Sequence, residues 1–529
     1  MKENRVLTRT DKINLAADII VAIGYLLLIA GIGMFLGMNE GIFFSTAAMS
    51  VIFAIVLLIM PVGYVLFRKK RTEGKVATGI SAGAVAAAVL MLVILILFSL
   101  VVDFVQPLML NTATCIILIA ASVIMLAGAA MQIFGKRHVM TLVVCVLLIV
   151  AMLVGVIWFN AQGFRDFNDE VMTDRTFLFA NGEDGYATFR IPSLVTLDKD
   201  VLNEKYGTEF ERDVLLASAE GRVNSAHDTG SIDLVYKTSA DGGKTWSELR
   251  VLLSYDDEVG KYGNPTPVLD RETGLVVFPY MSATKADKYD YQTFVARYTV
   301  DQNAVLTLNE EPINISFEKT DDGSGGADGV RQHTLMIGPG KSIQLENGEH
   351  KGRLIIPASS GGESFVLYSD DRGANWNVGE SAGTGNECEA AELPDGELVM
   401  VVRDMTGCSA IHPEQYQRLS YSRDGGQTWY RKTEDTTLRS PICMSSLTVT
   451  QSGALVMSYP DSFDTRVNLT VGVSTDRGES WHTYGLYNGA SGYSCLTSDS
   501  NGNLYVLAEV GKVNYNDALM FAVLNLPQA

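Results

Sequence analysis

Three closely spaced carboxylates are prominent among the side chains of this 529-residue sequence that could take part in catalysis. The segment NECEAAEL carries Glu387, Glu389 and Glu392, and positioned carboxyl groups are common general acids and bases. Alternation along a strand would put Glu387 and Glu389 on one face. Local chemistry therefore leaves the choice among these glutamates open.

Aspartates also recur at a fixed place in four similar octamers. Each octamer reads Ser, any residue, Asp, any residue, Gly, any residue, a small polar residue and Trp. The four are SADGGKTW (239–246), SDDRGANW (369–376), SRDGGQTW (422–429) and STDRGESW (474–481). The Asp can hydrogen-bond its own turn, the Gly supplies a positive φ and the Trp packs beneath the corner. A catalytic residue has no reason to recur in every repeat, so we interpret the octamers as hairpin turns.

The sequence shows no metal site and leaves open whether its cysteines form disulfides or remain free thiols. The six histidines and six cysteines show no metal-ligand spacing. Cys115 and Cys145 fall in long apolar segments. The other four allow three pairings, which sequence cannot distinguish; they are Cys388, Cys408, Cys443 and Cys495.

The spacing of the octamers predicts the fold. Their first residues Ser369, Ser422 and Ser474 lie 53 and 52 residues apart, whereas Ser239 precedes Ser369 by 130 residues. Between the octamers, short β-prone runs alternate with Gly, Asp and Asn turns. About 350 residues with a ~50-residue period predict an all-β, six-bladed β-propeller. Its site residues should be scattered along the chain and meet at the central axis.

The first 160 residues differ in composition from the rest. They contain 11 basic and 6 acidic side chains, which leaves a net charge of −24 for residues 161–529. Five uncharged apolar stretches reach or exceed the ~18 residues that cross a bilayer as a helix. These stretches are Ile19–Leu36, Gly41–Phe67, Val76–Val102, Phe104–Gly135 and Val139–Phe159.

Together these patterns predict three regions. Residues 1–160 form an all-α transmembrane region of about five helices, residues 161–175 form a short linker, and residues 176–529 form the propeller. Basic residues precede the first span and recur in every second connection, so the N-terminus is expected in the cytoplasm. An odd number of spans then predicts a multi-pass cell-membrane protein with an extracellular catalytic domain.

The segment FRIP, Phe189–Pro192, together with the four octamers, resembles the sialidase family of exo-α-neuraminidases, whose octamers are called Asp boxes. Sialic acid carries a carboxylate on its anomeric carbon, and guanidinium groups bind carboxylates with planar, bidentate geometry. Family members use three arginines for this purpose. The resemblance, over roughly residues 175–515, assigns these to Arg190 in FRIP, Arg403 in ELVMVVR and Arg466 in DTRVNLTV.

The resemblance also implies the reacting groups. Tyr493, in GASGYSCL, resembles the family's nucleophile, and Glu387 resembles the base that deprotonates it. Sialidases use a Tyr where most glycosidases use a carboxylate, and a neutral phenol can approach an anionic sugar without repulsion. Asp228, six residues after Arg222 in EGRVNSAHDTGSIDLV, resembles the acid/base aspartate with its preceding arginine. A carboxyl in that role needs a pKa that is tuned upward.

Two more residues follow from the resemblance. Glu509, in NLYVLAEV, resembles the family's buried glutamate that orients the FRIP arginine. Asn264, in GNPTPVLD, falls where relatives contact the sugar. Asp233, near Asp228, is interpreted as structural.

The predicted function is that of a membrane-anchored exo-sialidase. It would release terminal α-linked sialic acid from glycoproteins, glycolipids or oligosaccharides, with retention through a tyrosyl-enzyme intermediate and without a metal or organic cofactor. No basic stripe suggests nucleic acid as a partner. The alternatives are a trans-sialidase, an intramolecular trans-sialidase and a non-catalytic sialoglycan-binding propeller. The last should lack one of Tyr493, Glu387 and Asp228, and all three are present.

Overall fold

The computed structural model describes the chain from residue 164 onward. The described residues are 164–256, 258–286, 291–316, 335–406, 414–512 and 514–527. The chain divides into two units, Met1–Gln162 and Gly163–Ala529, and all described residues belong to the second. The predicted boundaries of the transmembrane region, linker and propeller remain predictions.

Strands dominate this part of the chain. The first thirteen are β1 (Met172–Ala180), β2 (Thr188–Leu197), β3 (Val214–Arg222), β4 (Ile232–Ser239), β5 (Arg250–Leu253), β6 (Val259–Gly263), β7 (Val268–Leu269), β8 (Val276–Thr284), β9 (Tyr291–Val300), β10 (Leu306–Asn314), β11 (Met336–Ile337), β12 (Ile343–Gln344) and β13 (Leu354–Ser360). The others are β14 (Glu363–Ser369), β15 (Asn377–Val378), β16 (Gly383–Thr384), β17 (Cys388–Glu392), β18 (Leu398–Val402), β19 (Tyr416–Ser422), β20 (Arg431–Arg439), β21 (Ser446–Val449), β22 (Leu455–Pro460), β23 (Val467–Ser474), β24 (His482–Ser498), β25 (Leu504–Gly511) and β26 (Ala518–Leu524).

One helix, α1 (Lys199–Tyr206), interrupts the strands of the described part. It begins because the Asp198 side chain accepts hydrogen bonds from the backbone N–H groups of Asp200 and Val201, which have no partner within the helix. It ends at Gly207, whose φ of 66° lies in the left-handed region that suits a helix C-terminus.

The strands form four sheets. Seven strands have the order β1-β26-β25-β24-β23-β22-β21, and another four have the order β17-β18-β19-β20. A nine-stranded sheet has the order β10-β9-β8-β6-β4-β3-β2, with β5 beside β4 and β7 beside β8. A six-stranded sheet has the order β11-β13-β14-β15, with β12 beside β13 and β16 beside β14.

Apolar side chains fill the spaces between neighbouring groups of strands. One cluster joins Leu194 and Leu215, from β2 and β3, to Leu507 and Phe521, from β25 and β26. All four are at most 1% exposed. This packing fixes the C-terminal strands against the strand that carries FRIP, and so sets the distance between the site residues on each.

The predicted fold class is wrong in part. The described residues are all-β apart from α1, but their strands form four sheets, so the six separate blades are not confirmed. The reason is that two strands connect sets of strands that would otherwise form separate sheets. The 17-residue β24 pairs with β23 on one side and β25 on the other, and β6 pairs with both β4 and β8. Among the described residues no helix is long and apolar enough to cross a membrane. The predicted five-helix region, residues 1–160, lies outside them.

The same finding contradicts the predicted localisation. A multi-pass cell-membrane protein with a cytoplasmic N-terminus and an extracellular catalytic domain requires membrane-spanning helices, and no helix of the described residues is long and apolar enough to be one. The apolar stretches on which that prediction depended all precede residue 164, where the description begins.

The four octamers form turns with a shared hydrogen-bond pattern. In the first, Ser239 Oγ donates to Asp241 at 2.8 Å, and the Gly243 N–H donates to Ser239 Oγ at 2.9 Å. Asp241 also accepts from the Thr245 backbone at 3.0 Å. The same bonds recur from Ser369, Ser422 and Ser474 in the other three octamers. The aspartates are thus engaged by their own turns.

Three octamers are also held by a side chain from another part of the chain. Arg297 donates to Gly373 O of the second octamer at 2.7 Å, and Arg353 donates to Gly425 O of the third at 3.1 Å. Tyr421 donates to Arg477 O of the fourth at 2.9 Å. These contacts tie successive groups of strands together at the turns.

Gly243→Ala is expected to destabilise the fold. Gly243 has a φ of +87°, and a Cβ there would lie 2.3 Å from the Phe521 ring. Backbone strain and overpacking together should lower the free energy of unfolding by about 2–5 kcal/mol. Gly182→Ala is the matched control, since Gly182 has a φ of +80° and no atom within 4 Å of such a Cβ. It should lose only about 1–2 kcal/mol. Urea unfolding of both variants measures the difference, and equal losses would contradict the packing role of Gly243.

Candidate active site

Three arginines from distant parts of the chain surround the ring of Tyr493. Arg190 lies on β2, Arg403 follows β18 and Arg466 precedes β23. Their Cζ atoms lie 5.4, 5.8 and 5.1 Å from the centre of the ring. Tyr493 is 5% exposed, and all three arginine residues are at least partly buried. The structure therefore places these four predicted residues in one pocket.

Glu509 fixes both Arg190 and the backbone beside Tyr493. Its carboxylate accepts from Arg190 Nε at 3.0 Å and Nη2 at 3.3 Å. It also accepts from the N–H groups of Ile191 and Tyr493, each at 3.1 Å. Ile191 has a φ of 58°, an unfavourable value for a β-branched residue. Burial acts to lower the pKa of Arg190, but Glu509 and, to a smaller extent, Tyr515, Asp228 and Tyr493 together outweigh burial and keep that pKa well above its usual value.

The Tyr493 hydroxyl is bonded to Glu387 and Arg403. It donates to the two carboxylate oxygens of Glu387 at 2.7 and 2.6 Å, and it accepts from Arg403 Nη1 at 2.7 Å. Arg403 Nη1 also contacts Glu387 directly. Burial raises the pKa of Tyr493 well above its usual value, and Arg403 opposes that effect. A phenol of this kind needs an adjacent proton acceptor to become a nucleophile, and Glu387 is in contact with it.

The other two glutamates of NECEAAEL have different partners. Glu389 is fully buried and contacts Lys341, and it accepts from Ser446 Oγ at 2.6 Å. Glu392 accepts from the Glu346 N–H at 2.7 Å. Neither carboxylate has a hydrogen bond to Tyr493 among the described contacts, in contrast to Glu387.

Arg466 is held by a carbonyl oxygen. Its Nε and Nη2 atoms donate to Ile442 O at 3.2 and 2.8 Å. Within the described residues, Arg190 pairs with Glu509 and Arg403 pairs with Glu387, whereas Arg466 forms no ion pair with a carboxylate. One of the three positive charges around Tyr493 is therefore left without a carboxylate.

Asp228 lies at the edge of this pocket on the segment between β3 and β4. Its carboxylate is 2.7 Å from Arg222 Nη1 and 3.5 Å from Arg190 Nη1, and its side chain is 72% exposed. Lys261 Nζ donates to its backbone oxygen at 2.9 Å. Partial desolvation by the surrounding protein acts to raise the pKa of Asp228, but Arg222 and Arg190 lower it to about 2. This direction is opposite to the upward tuning that an acid requires, which is a difference from the sequence-based expectation.

Arg222 and Asn264 are linked through Glu220, which sequence reasoning missed. Glu220 accepts from Arg222 Nε at 3.0 Å and Nη2 at 2.6 Å, and from the Asn264 N–H at 3.2 Å. The Asn264 side chain donates to Ile337 O at 2.8 Å. Glu220 lies two residues before Arg222, so strand alternation would have placed both on one face. That spacing was the signal available in the sequence.

The structure gives no indication of metal chemistry in the part it describes. No group of three or more His, Cys, Asp or Glu side chains in that part could hold a metal ion. Cys388, Cys443 and Cys495 are buried free thiols, and Cys408 lies outside the described residues.

Asp233 accepts from Tyr186 Oη at 2.6 Å and contacts none of the arginines by an ion pair in this region.

The fold and the site define an all-β protein whose repeated antiparallel strands enclose an arginine-rich pocket around a tyrosine. Residues 213–506 match the family described as BNR repeat-like domain, which is more than half of the chain. The chain therefore belongs to this family.

The chain is also similar to two curated proteins and to one solved structure, all of them sialidases. The chain is 28% identical over 362 residues to a sialidase of Micromonospora viridifaciens, covering 63% of this chain and 52% of that protein. It is 27% identical over 362 residues to a sialidase of Bacteroides fragilis, covering 62% and 61%. The Hadza microbial sialidase Hz136 superposes with a TM-score of 0.54 at 25% identity, covering 66% and 68%. The chain thus spans between one half and two thirds of these two curated relatives, and the resemblance to sialidases is supported.

Proposed function

We propose that this protein is an exo-sialidase that hydrolyses terminal α-linked sialic acids with retention of configuration. The observation that carries the proposal is the Tyr493 hydroxyl, bonded to Glu387 and surrounded by three guanidinium groups. The two sialidase relatives support the same substrate class. Sialylated glycoproteins, glycolipids and oligosaccharides are the proposed substrates.

The charges of the pocket suit an acid sugar. Glu387 and Glu509 neutralise Arg403 and Arg190, while Arg466 has no carboxylate partner among the described residues. A bound carboxylate would give Arg466 an anionic partner. A planar guanidinium binds a carboxylate through two parallel hydrogen bonds, so the arginines would also fix the orientation of the sugar.

The tyrosine is suited to attack at a carbon that bears a carboxylate. A carboxylate nucleophile would be repelled by that group, and sialidases are known exceptions to the two-carboxylate pattern of glycosidases. In the proposed first step, Tyr493 Oη bonds to the anomeric carbon and its proton passes to Glu387. The bond to the leaving oxygen breaks, and that oxygen takes a proton from Asp228.

In the second step, water replaces Tyr493 at the anomeric carbon. Asp228 accepts a proton from the water, and Glu387 returns its proton to the tyrosine oxygen. Two inversions restore the original configuration. Asp228 must therefore be protonated when the substrate is bound, and Arg222 and Arg190 oppose this in the free protein.

The test is an assay of the full-length protein on a fluorogenic aryl sialoside and on 3′- and 6′-sialyl-lactose. We expect release of free sialic acid, with NMR showing the α anomer as the first product. Binding of sialic acid without release would favour a sialoglycan-binding protein. An anhydro sugar would favour intramolecular transfer, and a new sialoside formed in the presence of added lactose would favour a trans-sialidase. Each of these outcomes would overturn the hydrolase proposal.

A further inference from the structure

A second tyrosine lies against two of the three arginines. Tyr515 is in the connection between β25 and β26, and its ring centre is 5.2 Å from Arg190 Cζ and 4.9 Å from Arg466 Cζ. The corresponding distances to the Tyr493 ring are 5.4 and 5.1 Å. Each guanidinium therefore contacts two tyrosine rings at nearly equal distances. No motif in the sequence pointed to Tyr515.

Close packing fixes the ring of Tyr515 beside the nucleophile. Gly492 directly precedes Tyr493, and a Cβ at Gly492 would lie 2.8 Å from the Tyr515 ring. The ring thus approaches the backbone at a place where only glycine leaves room. Its loop is braced as well, because Lys512 N–H donates to the Asp517 side chain at 2.8 Å and Asn181 Nδ2 donates to Asn516 O at 2.6 Å.

The electrostatics explain why a ring is useful at this position. Burial and, to a smaller extent, the like charge of Arg403 act to lower the pKa of Arg466, but Cys443, Tyr515 and Tyr493 together outweigh them and keep that pKa raised. A carboxylate beside Arg466 would offset this cost, but it would also occupy the N–H groups that a ligand carboxylate needs. The negative face of an aromatic ring stabilises a cation without accepting its in-plane hydrogen bonds. Tyr515 can therefore stabilise Arg466 without occupying the N–H groups that do not bond to Ile442 O.

We propose that Tyr515 is a positioning residue that holds Arg190 and Arg466 in the geometry that binds the carboxylate of the acid sugar. The proposal rests on the proposed function for the identity of the ligand. It assigns to the ring face, rather than to the hydroxyl, the stabilisation of two buried cations. Tyr515 acts through the arginines, so its effect belongs to ligand binding and not to bond cleavage.

The experiment compares Tyr515→Leu and Tyr515→Phe in the full-length protein. Leu removes the aromatic face and should raise both KM for an aryl sialoside and Kd for free sialic acid by roughly 10-fold, as expected for the loss of two cation–π contacts. The value of kcat should change less than about 2-fold, because bond cleavage does not involve this ring. Phe keeps the face, so both constants should stay near those of the wild type.

The matched control is Tyr430→Leu. Tyr430 is 53% exposed and also packs beside an arginine, with Arg423 Cζ 4.7 Å from its ring, but it lies next to the third octamer. This variant should leave KM and Kd unchanged. Thermal unfolding of each variant shows whether it is folded.

Two results would overturn the proposal. One is an unchanged KM and Kd in folded Tyr515→Leu; the other is an equal loss in Tyr515→Phe, which would assign the effect to the hydroxyl. The readouts also separate this proposal from the hydrolase assignment. A wild-type protein that binds sialic acid but releases none fails as a hydrolase, while Kd still decides the role of Tyr515. If the wild type does not bind sialic acid, both proposals fail.

Discussion

Tyr493→Phe is expected to lower kcat for sialoside hydrolysis by roughly 10³-fold or more, a loss of the size seen when a nucleophile is removed. The variant loses the one oxygen that contacts both Glu387 and Arg403. Phenylalanine keeps the ring that Arg190 and Arg466 pack against. Binding of free sialic acid should therefore change little, so that kcat falls while Kd remains within a few-fold of the wild type.

The matched control is Tyr505→Phe. Tyr505 is also buried, and its hydroxyl donates to Asp499 at 2.8 Å, outside the arginine pocket. This variant should lose about 1 kcal/mol of stability and keep its activity. Intact-protein mass spectrometry with a fluorinated sialoside, which slows the second step, should detect a covalent adduct on Tyr493 in the wild type. A Tyr493→Phe variant that keeps a tenth of wild-type kcat would contradict the tyrosyl intermediate.

Asp228→Asn has the second largest expected effect. Removal of a general acid should lower kcat by roughly 10²- to 10⁴-fold on sialyl-lactose, whose leaving alkoxide needs a proton. The loss should be much smaller on an aryl sialoside, because a phenolate leaves without one. Asp169→Asn is the control, since Asp169 is also largely exposed and forms an ion pair with an arginine, Arg175, at 2.5 Å. Equal losses on both substrates would assign Asp228 a different role.

The pH dependence follows from the ion pairs of Asp228. Arg222 and Arg190 lower its pKa to about 2 in the free protein, so it is ionised at neutral pH. A substrate carboxylate bound to Arg190 would weaken that ion pair and raise the pKa in the complex. Binding should therefore take up a proton, and calorimetry in buffers of different ionisation enthalpy measures this uptake. Since kcat/KM reports the free protein and kcat the complex, kcat/KM should fall from lower pH than kcat.

The same ion pairs make the stability of the folded protein depend on pH in the opposite direction: rising pH deprotonates Asp228 and lowers activity, whereas falling pH protonates it and lowers stability. A carboxylate with a depressed pKa stabilises the folded state above its unfolded pKa, near 4, and loses this effect as the pH falls toward 2. Asp228→Asn should therefore flatten the acid limb of the stability profile. Because the side chain is largely exposed, solvent screens its ion pairs and the change should be small.

The short motifs that resemble the sialidase family were sufficient to find most residues that meet in the pocket. FRIP and GASGYSCL identified Arg190 and Tyr493, and the structure brings them together with Glu509. Strand chemistry likewise predicted the all-β character. These signals are local, since each depends on residue types within a few positions of one another.

Features that depend on contacts between distant segments could not be predicted. Tyr515 contacts Arg190 and Arg466 although these residues come 325 and 49 positions earlier in the chain. The low pKa of Asp228 depends on two arginines, of which Arg190 is 38 residues away. The strand β24 merges two sets of strands into one sheet because it pairs with both β23 and β25. A repeat of 53 residues in the sequence does not show whether neighbouring sets share a strand in this way.

The pairing of β1 with β26 has a consequence for biosynthesis. Met172 lies opposite Leu524 and Ala180 opposite Ala518, so the earliest strand of the described region is an edge that only the last strand covers. During translation, β1 leaves the ribosome long before its partner exists. The seven-stranded sheet can form completely only after β26 has been synthesised, and until then the backbone N–H and C=O groups of β1 that pair with β26 lack that partner.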